Sequence, residues 1–167
     1  TAHESIPLEN NIELKVLDTP GHTFAHLCFV VFEQGQAKAV FTGDTLFNAG
    51  VGNCHNGGDP AVLYQTITEQ FHSLPDDVIV YPGHDYLENN LRFTLDLEAS
   101  NGMAAQWLEK AVIADPANNP LLTTIGDEHQ FNTFFRLKNP EIRTTLGLPD
   151  SSEKDIFLAL RARRNSW

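Results

Sequence analysis

Apolar and polar positions follow one another in three distinct rhythms along this chain. Residues 12–17 alternate apolar with charged side chains, the period-two pattern of a half-buried strand. Residues 27–32, 39–41 and 78–81 are short apolar runs of the kind that buried strands carry. Asp59 and Pro60 read as an N-cap and a first-turn proline. Val62, Leu63, Ile67 and Phe71 follow at helical spacing, so one amphipathic helix is expected there. Beyond Gly83 helical periodicity takes over. Residues 87–98 and 103–113 predict two helices, Pro116 and Pro120 interrupt the pattern, and residues 128–135 predict a shorter helix. Ser152 with Asp155 resembles a capping box opening a last helix through Ile156, Phe157 and Leu160. A boundary near residue 85 divides a strand-rich stretch from a helical one, with no internal repeat, low-complexity tract or long linker.

Composition narrows the class. The chain has 167 residues, 41% of them hydrophobic and 20% charged, the profile of one ordinary globular unit. No apolar run approaches the roughly 20 residues that span a bilayer, so no membrane partner is expected. Nothing reads as a secretory signal, and a cytoplasmic location is the expectation. Cys28 and Cys54 lie in unrelated contexts and are expected to be free thiols. A formal net charge of −11 argues against a nucleic-acid partner. The one basic cluster, Arg161, Arg163 and Arg164, could equally complement a helix dipole or bind an anion.

Three turns follow predicted strands. They are Thr19-Pro20-Gly21-His22-Thr23 with His26 beyond it, Phe41-Thr42-Gly43-Asp44-Thr45, and Tyr81-Pro82-Gly83-His84-Asp85-Tyr86. Each puts a metal-ligand residue type just after a strand, where a glycine lets the backbone turn sharply and aim the next side chain into a common cleft. Imidazole and carboxylate suit zinc, iron or manganese, and an aspartate between two histidine groups can bridge two cations. Taken singly each turn has a plain explanation, as a cap or a hydrogen-bonded loop residue. Three in this order are hard to obtain by chance.

Together these motifs resemble those of the metallo-β-lactamase superfamily and, within it, glyoxalase II, the hydroxyacylglutathione hydrolases. Gly83-His84-Asp85-Tyr86 followed by Asn90-Leu91-Arg92-Phe93 is similar to a segment of that family. So are Asn139-Pro140-x-x-Arg143 and the closing Leu160-Arg161-x-x-Arg164-Asn165-x-Trp167. The resemblance runs from about Ile12 to Trp167. It implies an α/β (α+β) fold, half of an αββα sandwich over residues 1–85, followed by a helical C-terminal domain over residues 86–167. It also implies a metal site built by His22, Asp44 and His84, with Asp44 catalytic as the bridge between two cations, and glutathione contacts from Tyr86, Arg161 and Arg164. His26 is read as structural, and His3, His72 and His129 match no role.

Two departures shape the functional expectation. The family's remaining ligands come from a His-x-His-x-Asp-His motif, which this chain lacks. In the loop of residues 50–58, the family's basic and aromatic glutathione contacts are replaced by Asn53 and His55. The expectation is therefore metal-dependent hydrolysis of a glutathione thioester of the S-lactoylglutathione type, inactive in this chain alone. An isolated half would leave one sheet face bare, to be covered by a complementary N-terminal half or by a second copy in a homodimer. The alternatives are a non-catalytic binding module with a vestigial metal site, and a persulfide dioxygenase-like protein using a single iron.

Overall fold

The computed structural model describes residues 4–115 and 118–167; His3 and Pro116 lie outside the described residues. In chain order the elements are β1 (Ser5–Pro7), β2 (Ile12–Asp18), β3 (Leu27–Glu33), β4 (Gln36–Gly43), β5 (Leu46–Phe47), β6 (Gly50–Val51), α1 (Pro60–Thr66) and β7 (Ile79–Pro82). They continue with α2 (Leu87–Leu97), α3 (Gly102–Ile113), β8 (Thr123–Thr124), α4 (Ile125–Phe131), α5 (Pro140–Thr145) and α6 (Glu153–Ser166). Six strands form one sheet in the order β1-β2-β3-β4-β7-β8, and β5 and β6 form a separate hairpin. Every neighbouring pair in the large sheet is antiparallel except β4 with β7. It follows that β2, β4 and β7 run in the same direction, so the turns after them share one end of the sheet.

The two faces of this sheet meet different surroundings. Val30, Val40 and Val80 lie side by side on one face and are wholly buried against Leu63, Ile67 and Phe71 of the α1 segment and Ile156, Phe157 and Leu160 of α6. Each such side chain contributes on the order of 1.5–3 kcal/mol through burial. On the other face Val16, Phe29, Phe41 and Tyr81 form one row across four strands, and Leu14, Val31, Ala39 and Ile79 form the next. Leu27 and Phe41 on this face are 39% and 47% exposed. The fold is thus one sheet with helices on one side, and its second side is apolar. Among the described residues no helix is long and apolar enough to cross a membrane.

Asp59 caps α1 by accepting from the amides of Ala61 and Val62, as the Asp-Pro signal predicts. The helix then widens into a π turn over Ile67–Phe71, which keeps Ile67 and Phe71 in the core. The expected helix over 128–135 is displaced: α4 starts earlier, at a Thr124–Asp127 capping box, and ends at Phe131. Asn132 stops it because its side-chain oxygen accepts from the Phe134 amide, a local bond that competes with the helix. Only half of the expected box forms at Ser152. Its hydroxyl accepts from the Asp155 amide, but the Asp155 carboxylate bonds that same hydroxyl instead of the backbone. Helix α5 is capped by Asn139 with Pro140 in its first turn, and it escapes periodicity because Ile142 is its one buried residue.

One buried carboxylate ties the helices to the β5–β6 hairpin. Glu128 is fully buried and accepts from the Ala49 amide at 3.0 Å, from the Asn132 amide group at 2.7 Å and from the Thr123 hydroxyl. Burial pushes its pKa up to about 7 from 4.5, although all three hydrogen bonds pull the other way. The folded chain therefore holds this proton more tightly than the unfolded chain. The contribution of Glu128 to stability is full below about pH 4.5 and is lost as pH rises through 7. At about 1.4 kcal/mol per pH unit the full loss is about 3 kcal/mol. Denaturant unfolding at pH 5 and pH 8 should show that decline in the parent chain and lose most of it in Glu128→Gln.

Candidate metal centre and adjoining cleft

The turn after β2 carries His22, the turn after β4 carries Asp44, and the turn after β7 carries His84. His22 Nε2 stands 3.6 Å from Asp44 Oδ2, and His84 Nε2 stands 3.4 Å from Asp44 Oδ1. The structure thus brings the three residues singled out from the sequence together, one histidine to each carboxylate oxygen. His22 Nδ1 lies 2.6 Å from the Asn53 carbonyl, which can only accept, so Nδ1 carries the proton. In the neutral ring this turns the Nε2 lone pair toward a carboxylate oxygen, acceptor against acceptor. A cation resolves such an apposition. Donors held at about 2.0–2.2 Å from one ion stand roughly 3–3.5 Å apart, close to the separations here.

The two histidines address different oxygens, so the arrangement provides two donors to each of two positions. No group of three or more His, Cys, Asp or Glu suited to holding one metal occurs among the described residues. The geometry fits a carboxylate shared between two cations, each needing further ligands. The environments of the two positions also differ: the His22 side chain is 13% exposed and that of His84 57%.

Close backbone approach makes this assembly possible. A Cβ at Gly52 would fall 1.9 Å from the Asp44 carbonyl oxygen and 3.0 Å from His22 Nδ1. Gly43 has φ +49, and a Cβ there would fall 2.8 Å from the His26 ring. His26 lies beneath the turn: its Nε2 accepts from the Asp44 amide at 3.2 Å, and its Nδ1 is 2.9 Å from the Thr45 hydroxyl. Burial, then the neighbouring His22, lower its pKa, so it is neutral around pH 7. This matches the structural reading of His26.

A cleft of about 260 Å³ opens beside the three turns. Asn53, His55, Tyr86, Arg161 and Arg164 all line it, so every residue expected to touch substrate reaches one cavity. Their states differ. Arg161 is 4% exposed and donates through Nη1 to the carbonyls of Val51 at 2.9 Å and Gly52 at 3.1 Å, and burial brings its pKa down to about 10. Arg164 lies over the rings of Phe93 and Trp167 and donates to Asn90 Oδ1 at 3.3 Å. Arg163 instead pairs with Asp96 at 2.7 Å. Tyr86 is exposed and packs edge-on against Phe47, with His84 beside both. The Asn53 side chain accepts from the His55 amide, folding the loop on itself.

Sequence reasoning assigned no role to Phe47, Val51, Asn89, Asn90 and Asn165, which complete the cleft wall. Asn90 lay inside a quoted motif, yet its bonds to the Asn48 carbonyl and Arg164 join residues 42 and 74 positions apart. His72 and His129 lie apart from this site, packed with Phe135. Cys28 and Cys54 are free thiols. Burial pushes Cys28 up to about 11.

Comparison with known proteins identifies the family. Residues 7–84 match the family described as Metallo-beta-lactamase superfamily, and residues 85–167 match that described as Hydroxyacylglutathione hydrolase C-terminus. A protein named hydroxyacylglutathione hydrolase from Nitrosococcus oceani is 49% identical over 99% of this chain and 64% of its own length. One of the same name from a Polaromonas species is 48% identical with the same coverage. The chain therefore spans less than two thirds of the length of these relatives. Among solved structures, a metallo-beta-lactamase from Staphylococcus aureus aligns with TM-score 0.57 and 24% identity over 97% of this chain and 41% of its own. ETHE1 from Myxococcus xanthus aligns with TM-score 0.55 and 22% identity over 99% and 59%. Those two likenesses concern the fold. The chain belongs to the metallo-β-lactamase superfamily and, within it, to the hydroxyacylglutathione hydrolases, of whose longer chains it corresponds to the C-terminal part.

Proposed function

We propose that this chain supplies the second part of a metal-dependent hydrolase acting on a glutathione thioester, with His22, Asp44 and His84 as metal ligands. The observation that carries the reading is the pairing of His22 and His84 with opposite oxygens of Asp44, joined through Asn53 and Tyr86 to a cleft lined by Arg161 and Arg164. Membership of the superfamily implies a metal cofactor, and zinc, iron and manganese all suit imidazole and carboxylate. When bound, the metal supplies Lewis acidity, which generates a nucleophile from water near neutral pH and polarises the thioester carbonyl. The chain's own residues hold and orient. Asp44 would serve two cations, one through each oxygen, and the Asn53 carbonyl holds His22 Nδ1 so that Nε2 faces the carboxylate. Arg164 holds the anionic end of the thiol portion, while Arg161 keeps the Val51–Gly52 backbone in place beneath it.

Two donors per position do not make a working site. The apolar sheet face carrying Phe29, Val31, Phe41 and Tyr81 is the surface on which a complementary N-terminal segment would dock, bringing the remaining ligands with it. The test measures metal content and thioesterase activity for this chain alone and after mixing with the first third of a related hydrolase. Metal uptake and activity that emerge on mixing, and fall at least about a hundredfold in Asp44→Asn, are expected. A mixture that takes up no metal and cleaves no thioester would leave a non-catalytic module. A dimeric mass for the chain alone would instead place a second copy on the sheet face.

The two cleft arginines should separate in the mixed enzyme. Arg164→Ala is expected to raise KM for the thioester by about tenfold or more with kcat little changed, the cost of losing one charge-assisted contact. Arg161→Ala is expected to lower the unfolding temperature, because two loop carbonyls lose their buried donor. Steady-state kinetics and thermal melts of both variants check the division.

A further inference from the structure

We propose that His26 is a positioning residue for Asp44, whose Nε2 holds the Asp44 amide and so sets where the carboxylate stands between His22 and His84. This rests on the reading of Asp44 as the shared ligand. The geometry fixes the ring's role through the direction of its hydrogen bonds. The Asp44 backbone amide can only donate, so His26 Nε2, 3.2 Å away, is the acceptor. The neutral ring then carries its proton on Nδ1, which faces the Thr45 hydroxyl at 2.9 Å and the Thr19 hydroxyl at 3.3 Å, while the Thr45 hydroxyl also lies 3.4 Å from the Thr19 carbonyl. One imidazole thus links the end of β2, through Thr19, to the turn after β4.

The fit is also steric. The ring occupies the space that a side chain at Gly43 would need, with Cε1 and Nε2 both 2.8 Å from the position of a Cβ there. It meets the His22 ring edge to face, with centroids 6.0 Å apart. A displacement of His26 is therefore felt on both sides of the Asp44–His22 pair. The Thr45 amide closes the turn on the Thr42 carbonyl at 3.0 Å and the Gly83 amide holds the Gly43 carbonyl at 2.8 Å, and between them His26 Nε2 holds the Asp44 amide.

Two substitutions separate positioning from mere packing. Glutamine reaches to where Nε2 lies and can accept the Asp44 amide, whereas asparagine reaches only to where Nδ1 lies and can keep the Thr45 bond. Amide exchange at Asp44, followed by NMR on this chain, should accelerate about tenfold in His26→Asn and less than about threefold in His26→Gln, the range of one hydrogen bond. Nitrogen NMR of the parent chain should find the His26 proton on Nδ1. Once the chain is joined by the N-terminal segment of a related hydrolase, zinc affinity should fall about tenfold in His26→Asn and stay within about threefold in His26→Gln. Equal losses in the two variants, or a proton on Nε2, would overturn the assignment. Failure of the parent mixture to take up zinc would instead sink the metal reading, with amide exchange still judging His26.

Discussion

The architecture of the site depends on three strand-end turns approaching one another more closely than side chains allow. Gly52 rests against the Asp44 carbonyl, and the Gly83 amide donates to the Gly43 carbonyl at 2.8 Å. Because β2, β4 and β7 run the same way, their turns arrive at one end of the sheet, and the parallel β4–β7 pair puts Asp44 and His84 just beyond the ends of adjacent strands. Backbone in van der Waals contact with backbone leaves little freedom for the carboxylate and the two imidazoles. Their placement is a property of the sheet edge more than of any loop.

The helices serve this edge indirectly. Glu128 and Asn132 on and just after α4 hold Ala49 and Gly50, Asn90 on α2 holds Asn48, and Arg161 on α6 holds Val51 and Gly52. Residues 48–52 are thus held from three helices, and Asn53, which fixes His22, follows directly. The positive φ of Ala49 is tolerated because its amide is locked by a buried carboxylate. The helical part is a frame for one short stretch of chain that belongs to the site.

How much of this was legible follows from range. The strands announced themselves through alternation or apolar runs, α1 through Asp59 and Pro60, and His22, Asp44 and His84 through glycine turns after strands. Each of those signals lies within a few residues. Glu128 reads as a surface acid in any window of sequence, since its partner Ala49 is 79 residues away. The pairing of β1 with β2 and of Thr123 and Thr124 with β7 has no local pattern, because such short edge strands are defined by the neighbour they join. The family resemblance implies a glutathione contact for Arg161, and only its burial shows that it braces the loop.

The far end of the sheet obeys looser rules. The β3–β4 hairpin turns through Gln34 and Gly35 with positive φ at both, and nothing lies within 4 Å of where a Gly35 side chain would begin. At the neighbouring turn Asn10 and Asn11 also adopt positive φ, and the Asn11 carbonyl accepts from the Gln34 amide. This edge has room where the other has none. It is the end of the molecule at which lineages can lengthen a loop, or an experimenter can attach a probe, without disturbing the geometry at the opposite end.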